Sequence, residues 1–198
     1  ANPEAGHDWW HILRVWKNVR TLLKQEKADR ITCELAALLH DIADSKFHNG
    51  DETLGPTLAG EFLNSIGVPE NLVRHVQDII FHMSYKASLG VVSFRSKELE
   101  IVQDADRLDA IGAIGIARAF HYGGFKNRQL YDPAIVPDLH QDRETYKNST
   151  APTINHFYEK LLLLKDRMNT DTAKRIAAER HAFMERYLEQ FFREWEGN

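Results

Sequence analysis

His40 and Asp41 stand side by side at the end of the most apolar stretch of the chain, Thr32 to Ala43. An ionised carboxylate buried without a partner costs several kcal/mol or more, so Asp41 needs a cation or strong donors. A metal ion held by both side chains meets that need. A helix that simply ends here, with both groups in water, is the competing reading. Two distant segments add donors of the same kind: His11 in His11-Ile12-Leu13-Arg14-Val15, and Asp106 in Asp104-Ala105-Asp106-Arg107-Leu108-Asp109. If their helices pack as a bundle, His11, His40, Asp41 and Asp106 form an N2O2 set. Imidazole with carboxylate suits Mn2+, Fe2+, Co2+, Ni2+ or Zn2+ rather than an all-oxygen calcium cage.

Helical periodicity has to position these groups. From Trp9 to Leu23, apolar residues at Ile12, Leu13, Val15, Trp16, Val19, Leu22 and Leu23 have the spacing of an amphipathic helix. Thr32–Ala43, apolar on almost every side, reads as a buried central helix. Thr53–Ile66, closed by Gly67, and Pro69–Tyr85, with proline in its first turn, follow as two more. Lys97–Tyr122 reads as one long helix interrupted in propensity by Gly112 and Gly115. Thr153–Lys165 and Asp171–Trp195 supply the last two. With no alternating strand pattern and no repeat, the expected fold is all-α. It is a single domain over residues 1–198, with a core over about 7–120 and C-terminal helices over 153–196. His121 to Pro152 carries Gly123, Gly124, Pro133 and Pro137 without periodicity, either a candidate lid over a site or a surface excursion.

Composition narrows the function. Twenty-five basic against 29 acidic residues give a net charge of −4. That disfavours capture of a nucleic-acid duplex but leaves small phosphorylated ligands, which need only a local cluster of cations. The single cysteine, Cys33, excludes a disulfide framework and a cysteine-rich zinc site, and fits a reducing compartment. No apolar run approaches a membrane span and no signal-peptide pattern opens the chain, so a cytoplasmic location is expected. Phe183, Met184, Tyr187, Leu188, Phe191, Phe192 and Trp195 make an aromatic stripe on the final helix, suited to a core or to a subunit contact in a homodimer. Its polar side is acidic, which argues against a membrane surface.

A histidine, a later His-Asp pair and a still later aspartate, in that order, resemble the signature of the HD-domain metal-dependent phosphohydrolases. The flanks His7-Asp8-Trp9-Trp10-His11-Ile12-Leu13-Arg14-Val15-Trp16, Leu38 to Phe47 and Val102 to Phe120 resemble the family's small bacterial YpgQ/YedJ-like branch. So does His156-Phe157-Tyr158-Glu159-Lys160-Leu161, while Gln129 to Pro152 contributes least. The resemblance implies a helical bundle with His11, His40, Asp41 and Asp106 as metal ligands. It also implies hydrolysis of a phosphoester or phosphoanhydride and, for this branch, of nucleoside triphosphates. Chemistry agrees, because a divalent ion lowers the pKa of its water from about 15.7 towards roughly 7 and screens phosphoryl oxygens. No protein nucleophile is then needed, and none is evident. The expected reaction releases pyrophosphate and the monophosphate, using one divalent ion. Mn2+ is expected first, with Co2+, Ni2+, Fe2+, Zn2+ or Mg2+ as alternatives. The rival readings are a 5′-nucleotidase acting on monophosphates and a non-catalytic nucleotide-sensing module.

Further residues carry weaker signals. Asp44, three residues after Asp41, would orient or deprotonate the attacking water, or be a solvated helix-ending aspartate. Lys46 would contact phosphate or be a plain surface lysine. Arg14, one turn after His11, and Arg107, beside Asp106, would each grip phosphate or pair with a neighbouring carboxylate. His75 and His82 share a polar helical stripe with Asp78 and Lys86. That stripe is expected to be solvated at His75, with His82 and Lys86 as candidate phosphate contacts. Lys160 and His156 owe their interest to the resemblance. His7-Asp8-Trp9-Trp10-His11 imitates the zinc-protease pattern, but aspartate replaces the glutamate base and the later donors account better for His11. The stringent-response hydrolases carry His-Asp-x-x-Glu-Asp where this chain ends Asp44-Ser45, and no Gly-Tyr-Pro marks the cyclic-dinucleotide branch.

Overall fold

The computed structural model describes residues 8–43, 51–83, 94–139 and 149–198. Among the described residues every regular element is helical, as the periodicity predicts. No helix among them is long and apolar enough to cross a membrane. The contacts divide the chain into two compact units, Trp9–Asp106 and one built mainly from Arg107–Asn198.

The first unit holds α1 (Trp9–Leu22), α2 (Arg30–Leu39), α3 (Leu54–Ser65), α4 (Glu70–His82) and most of α5 (Lys97–Asp109). α1 buries His11, Val15, Val19 and Leu22, a single stripe with each residue one turn from the next. α2 begins two residues earlier than its apolar pattern predicts, because Asp29 caps it by accepting the Thr32 N–H at 2.7 Å. Its small buried residues Cys33, Ala36 and Ala37 allow close packing against α1 and α4. It also ends earlier than expected: His40 is the capping residue, and a turn through Ala43 follows. Gly67, at φ +75°, closes α3 in the left-handed region that glycine adopts readily. α4 then packs back on α3 by burying Val73, Val76, Ile79 and Ile80. It ends at His82, and residues 84 and 85 of its expected range lie outside the described residues.

The single helix expected over Lys97–Tyr122 is two. α5 stops at Asp109, and α6 (Gly112–Phe125) starts afresh from Gly112, whose φ of +76° disfavours any side chain. A Cβ on Gly115 would sit 2.3 Å from the Ala110 carbonyl oxygen. The two glycines therefore build a corner, where sequence propensity shows only a weak helix. α6 also runs on to Phe125, so the irregular stretch begins after it rather than at His121. Its described part is docked on the C-terminal helices. The Thr153 N–H donates to the Gln129 carbonyl at 2.9 Å, Asn155 Nδ2 donates to the Ile135 carbonyl at 3.0 Å, and Tyr131 packs edge-on against Phe192 and Trp195. The helix expected over Thr153–Lys165 breaks at Lys160 into α7 (Thr153–Glu159) and a 3-10 helix (Leu161–Arg167). α8 (Asp171–Trp195) has the expected bounds and is capped by Thr170. It buries Met184 and Leu188 while Phe183 and Trp195 stay exposed.

Candidate metal centre

Three helices of the first unit bring the expected donors together. One ligand atom from each of His11, His40 and Asp106 lies within 4.8 Å of the others. Asp41 Oδ2 stands 3.4 Å from His11 Nε2 and 3.6 Å from His40 Nε2, and Asp106 Oδ1 is 3.5 Å from His11 Nε2. The imidazoles form the floor, with side chains 1% and 4% exposed. The carboxylates form the rim, at 18% for Asp41 and 41% for Asp106.

The orientation of His40 is informative. Its Nδ1 is 2.8 Å from the Ala37 carbonyl, which can only accept, so Nδ1 carries the proton. Nε2 is buried and has no hydrogen-bond partner, and in the neutral ring it presents a lone pair to the donor cluster. A backbone-anchored imidazole with the other nitrogen aimed at a site is the usual outer support of a metal-binding histidine. The two imidazoles meet edge-on, with ring centroids 5.4 Å apart. His11, His40 and Asp106, with Asp41 beside both imidazoles, fit a divalent cation, which would offset the gathered carboxylates and engage the orphaned nitrogen. Asn18, two turns after His11 on α1, donates to the Ala105 carbonyl at 3.0 Å and secures α1 against α5 next to Asp106. Sequence reading passed over it, although its spacing of seven from His11 marks the same helical face.

The other expected residues divide. Arg14 is half-buried on α1, one turn beyond His11. His82 ends α4, its Nδ1 2.9 Å from the Asp78 carbonyl. Its own carbonyl accepts from Gln103 Nε2 at 3.0 Å, one turn before Asp106 on α5. His75 departs from the solvated stripe expected for it. It is half-buried, with Nε2 3.1 Å from Ser96 Oγ and 3.7 Å from Glu98 Oε2, because the start of α5 meets its ring. Arg107 donates to the Arg167 carbonyl at 2.5 Å. Lys160 follows α7, and His156 one turn earlier is held neutral. Burial, reinforced by Lys160 and Arg128, pushes its pKa down to about 3. His7, Asp44, Lys46 and Lys86 lie outside the described residues. Cys33 is not a reactive thiol, since burial, with Glu98, Asp29 and Glu34 nearby, raises its pKa to about 12.

The HD domain matches residues 9–111, a span that includes all four donors. The chain belongs to the HD-domain family. The chain is 38% identical to YpgQ of Bacillus subtilis over 192 residues, 96% of this chain and 85% of YpgQ. The crystal structure of YpgQ in complex with ADP has a TM-score of 0.76 at 39% identity, covering 96% of this chain and 91% of that one. An HD-superfamily hydrolase from Bacillus thuringiensis has a TM-score of 0.75 at 46% identity, covering 98% and 88%. A protein of Lactobacillus plantarum has a TM-score of 0.83 at 42% identity, covering 100% and 91%. The resemblance to metal-dependent phosphohydrolases is thus family membership, and the HD domain brings with it a divalent metal.

Proposed function

We propose that this HD domain hydrolyses nucleoside triphosphates to the monophosphate and pyrophosphate. The observation that carries the proposal is the convergence of His11, His40 and Asp106, with Asp41 beside both imidazoles and the buried His40 Nε2 aimed among them. The ADP held by YpgQ supports a nucleotide as the ligand. Those four side chains would hold one divalent ion; their mixed nitrogen and oxygen donors suit Mn2+, Fe2+, Co2+, Ni2+ or Zn2+, and Mn2+ is the ion proposed. Such an ion supplies a water that ionises near neutral pH and screens the phosphoryl oxygens.

The chain's own groups do the rest. The Ala37 carbonyl fixes the His40 tautomer, and the buried floor excludes bulk water from beneath the site. Arg14 and His82 are proposed to steady phosphate oxygens, Arg14 through its forked guanidinium. On spacing alone, Asp44 is proposed to orient the attacking water and take its proton. Water adds to the α-phosphorus, the bond from that phosphorus to the bridging oxygen breaks, and pyrophosphate leaves.

The test is metal-stripped protein with Mn2+, Co2+, Mg2+ or Zn2+ restored and nucleoside tri-, di- and monophosphates supplied. Phosphate and pyrophosphate are assayed separately. Metal-dependent pyrophosphate release from a triphosphate is expected. Orthophosphate released from monophosphates would instead identify a 5′-nucleotidase. Tight nucleotide binding without turnover under any ion would identify a sensing module.

A further inference from the structure

The two donor-bearing helices α2 and α5 are also joined at their opposite ends. The backbone N–H of Asp29, just before α2, donates to Glu98 Oε1 at 2.9 Å. Glu98 is the second residue of α5 and its side chain is only 14% exposed. Its other oxygen, Oε2, faces His75 Nε2 on α4 at 3.7 Å. The same ring nitrogen lies 3.1 Å from Ser96 Oγ, which accepts the Leu99 N–H at 3.1 Å and so caps α5. One carboxylate therefore connects the start of α2, the start of α5 and the middle of α4.

From this junction α2 and α5 run the same way to the donor cluster. His40 follows Arg30 by ten residues and Asp106 follows Lys97 by nine. At about 1.5 Å per residue, both donors sit roughly 14–15 Å along their helices. A helix is axially stiff, so a slide of α5 against α2 at the junction reappears at the far end. Metal–ligand distances tolerate only about 0.2 Å.

We propose that Glu98 is a positioning residue for the metal centre: through the Asp29 N–H and His75 it sets the axial register of α5 against α2, and with it the spacing of Asp106 from His40 and Asp41. The proposal rests on the metal reading given above and goes beyond it to the residue that holds the ligands in register.

The test measures Co2+ binding to metal-stripped protein, by calorimetry and by the visible absorption band, in wild type, Glu98→Ala, Glu98→Gln and Val73→Ala. Glu98→Ala is expected to bind Co2+ about threefold to tenfold more weakly, with a shifted band. Glu98→Gln keeps an acceptor for the Asp29 N–H and should recover most of the affinity. Val73→Ala loosens the core of α4 without touching the junction, and should leave affinity and band unchanged. If Glu98→Ala does not fold, Glu98→Asp, whose shorter side chain draws the carboxylate away from the Asp29 N–H, takes its place and should show the same weakening. Wild-type affinity and band in the junction variant overturn the proposal. So does a Val73→Ala protein weakened to the same degree, or a Glu98→Gln protein as weak as Glu98→Ala. A wild-type protein that takes up no Co2+ removes the metal reading itself, an outcome distinct from all of these.

Discussion

Asp106 and Asp109 lie one turn apart on α5 and are used in opposite ways. Asp109 is 2% exposed and is met by Arg118 Nη1 at 2.8 Å, while Arg180, held nearby, donates to the Leu108 carbonyl. Asp106 is 41% exposed on its side chain and is met by an imidazole, with His40 sharing the cluster. A guanidinium is a permanent cation, so the carboxylate beside it is balanced by the protein and serves the fold. An imidazole supplies a lone pair instead, and carboxylates gathered around two of them invite a cation from outside. Two aspartates of one helix thus divide between structure and chemistry according to the partner each is given.

The most severe way to break that division is to remove a donor. His40→Ala or Asp106→Ala should lower turnover by more than the roughly 10–100-fold typical of an outer-shell change. Both should also lose the thermal stabilisation by Mn2+, which for one site at a hundredfold excess over Kd is about 2.7 kcal/mol. Melting curves with and without the ion check this, and unchanged turnover would overturn the mechanism.

Arg118→Ala attacks the other side of the comparison. It removes the Arg118 guanidinium from the buried Asp109, which should cost about 3 kcal/mol in urea unfolding while metal affinity stays as in wild type. A matching loss of metal affinity would dissolve the distinction between the two aspartates.

The smallest effect at neutral pH belongs to His156, which the second unit keeps neutral by burial. Its folded pKa of about 3 lies below the ordinary 6.5, so the unfolded chain takes the proton first as pH falls. Stability should therefore drop as pH goes from about 6.5 towards 3, and His156→Gln should flatten that limb. Unfolding midpoints measured across this range decide it.

Much of this was legible beforehand, and the misses have local causes. The buried faces of α1 and α4 follow from apolar spacing, and α8 has the predicted bounds because its stripe runs unbroken between a threonine cap and the glycine at 197. The corner after α5 was hidden because Gly112 and Gly115 look like mild interruptions, and the positive φ and the close carbonyl that need them show only in the folded backbone. The early start of α2 was marked by Asp29, but its apolar pattern begins later. The junction at Glu98 left no trace in periodicity, since its partners Asp29 and His75 lie 69 and 23 residues away.

Periodicity and side-chain chemistry are local properties, so the amino-acid order by itself determined an all-α chain and named the imidazoles and carboxylates able to take a cation. Which nitrogen of His40 faces the others, which aspartate of α5 receives a guanidinium, and which glutamate ties α2 to α5 depend on distances between helices remote in sequence. Those distances exist only once the helices have packed, and the tertiary structure alone decided them.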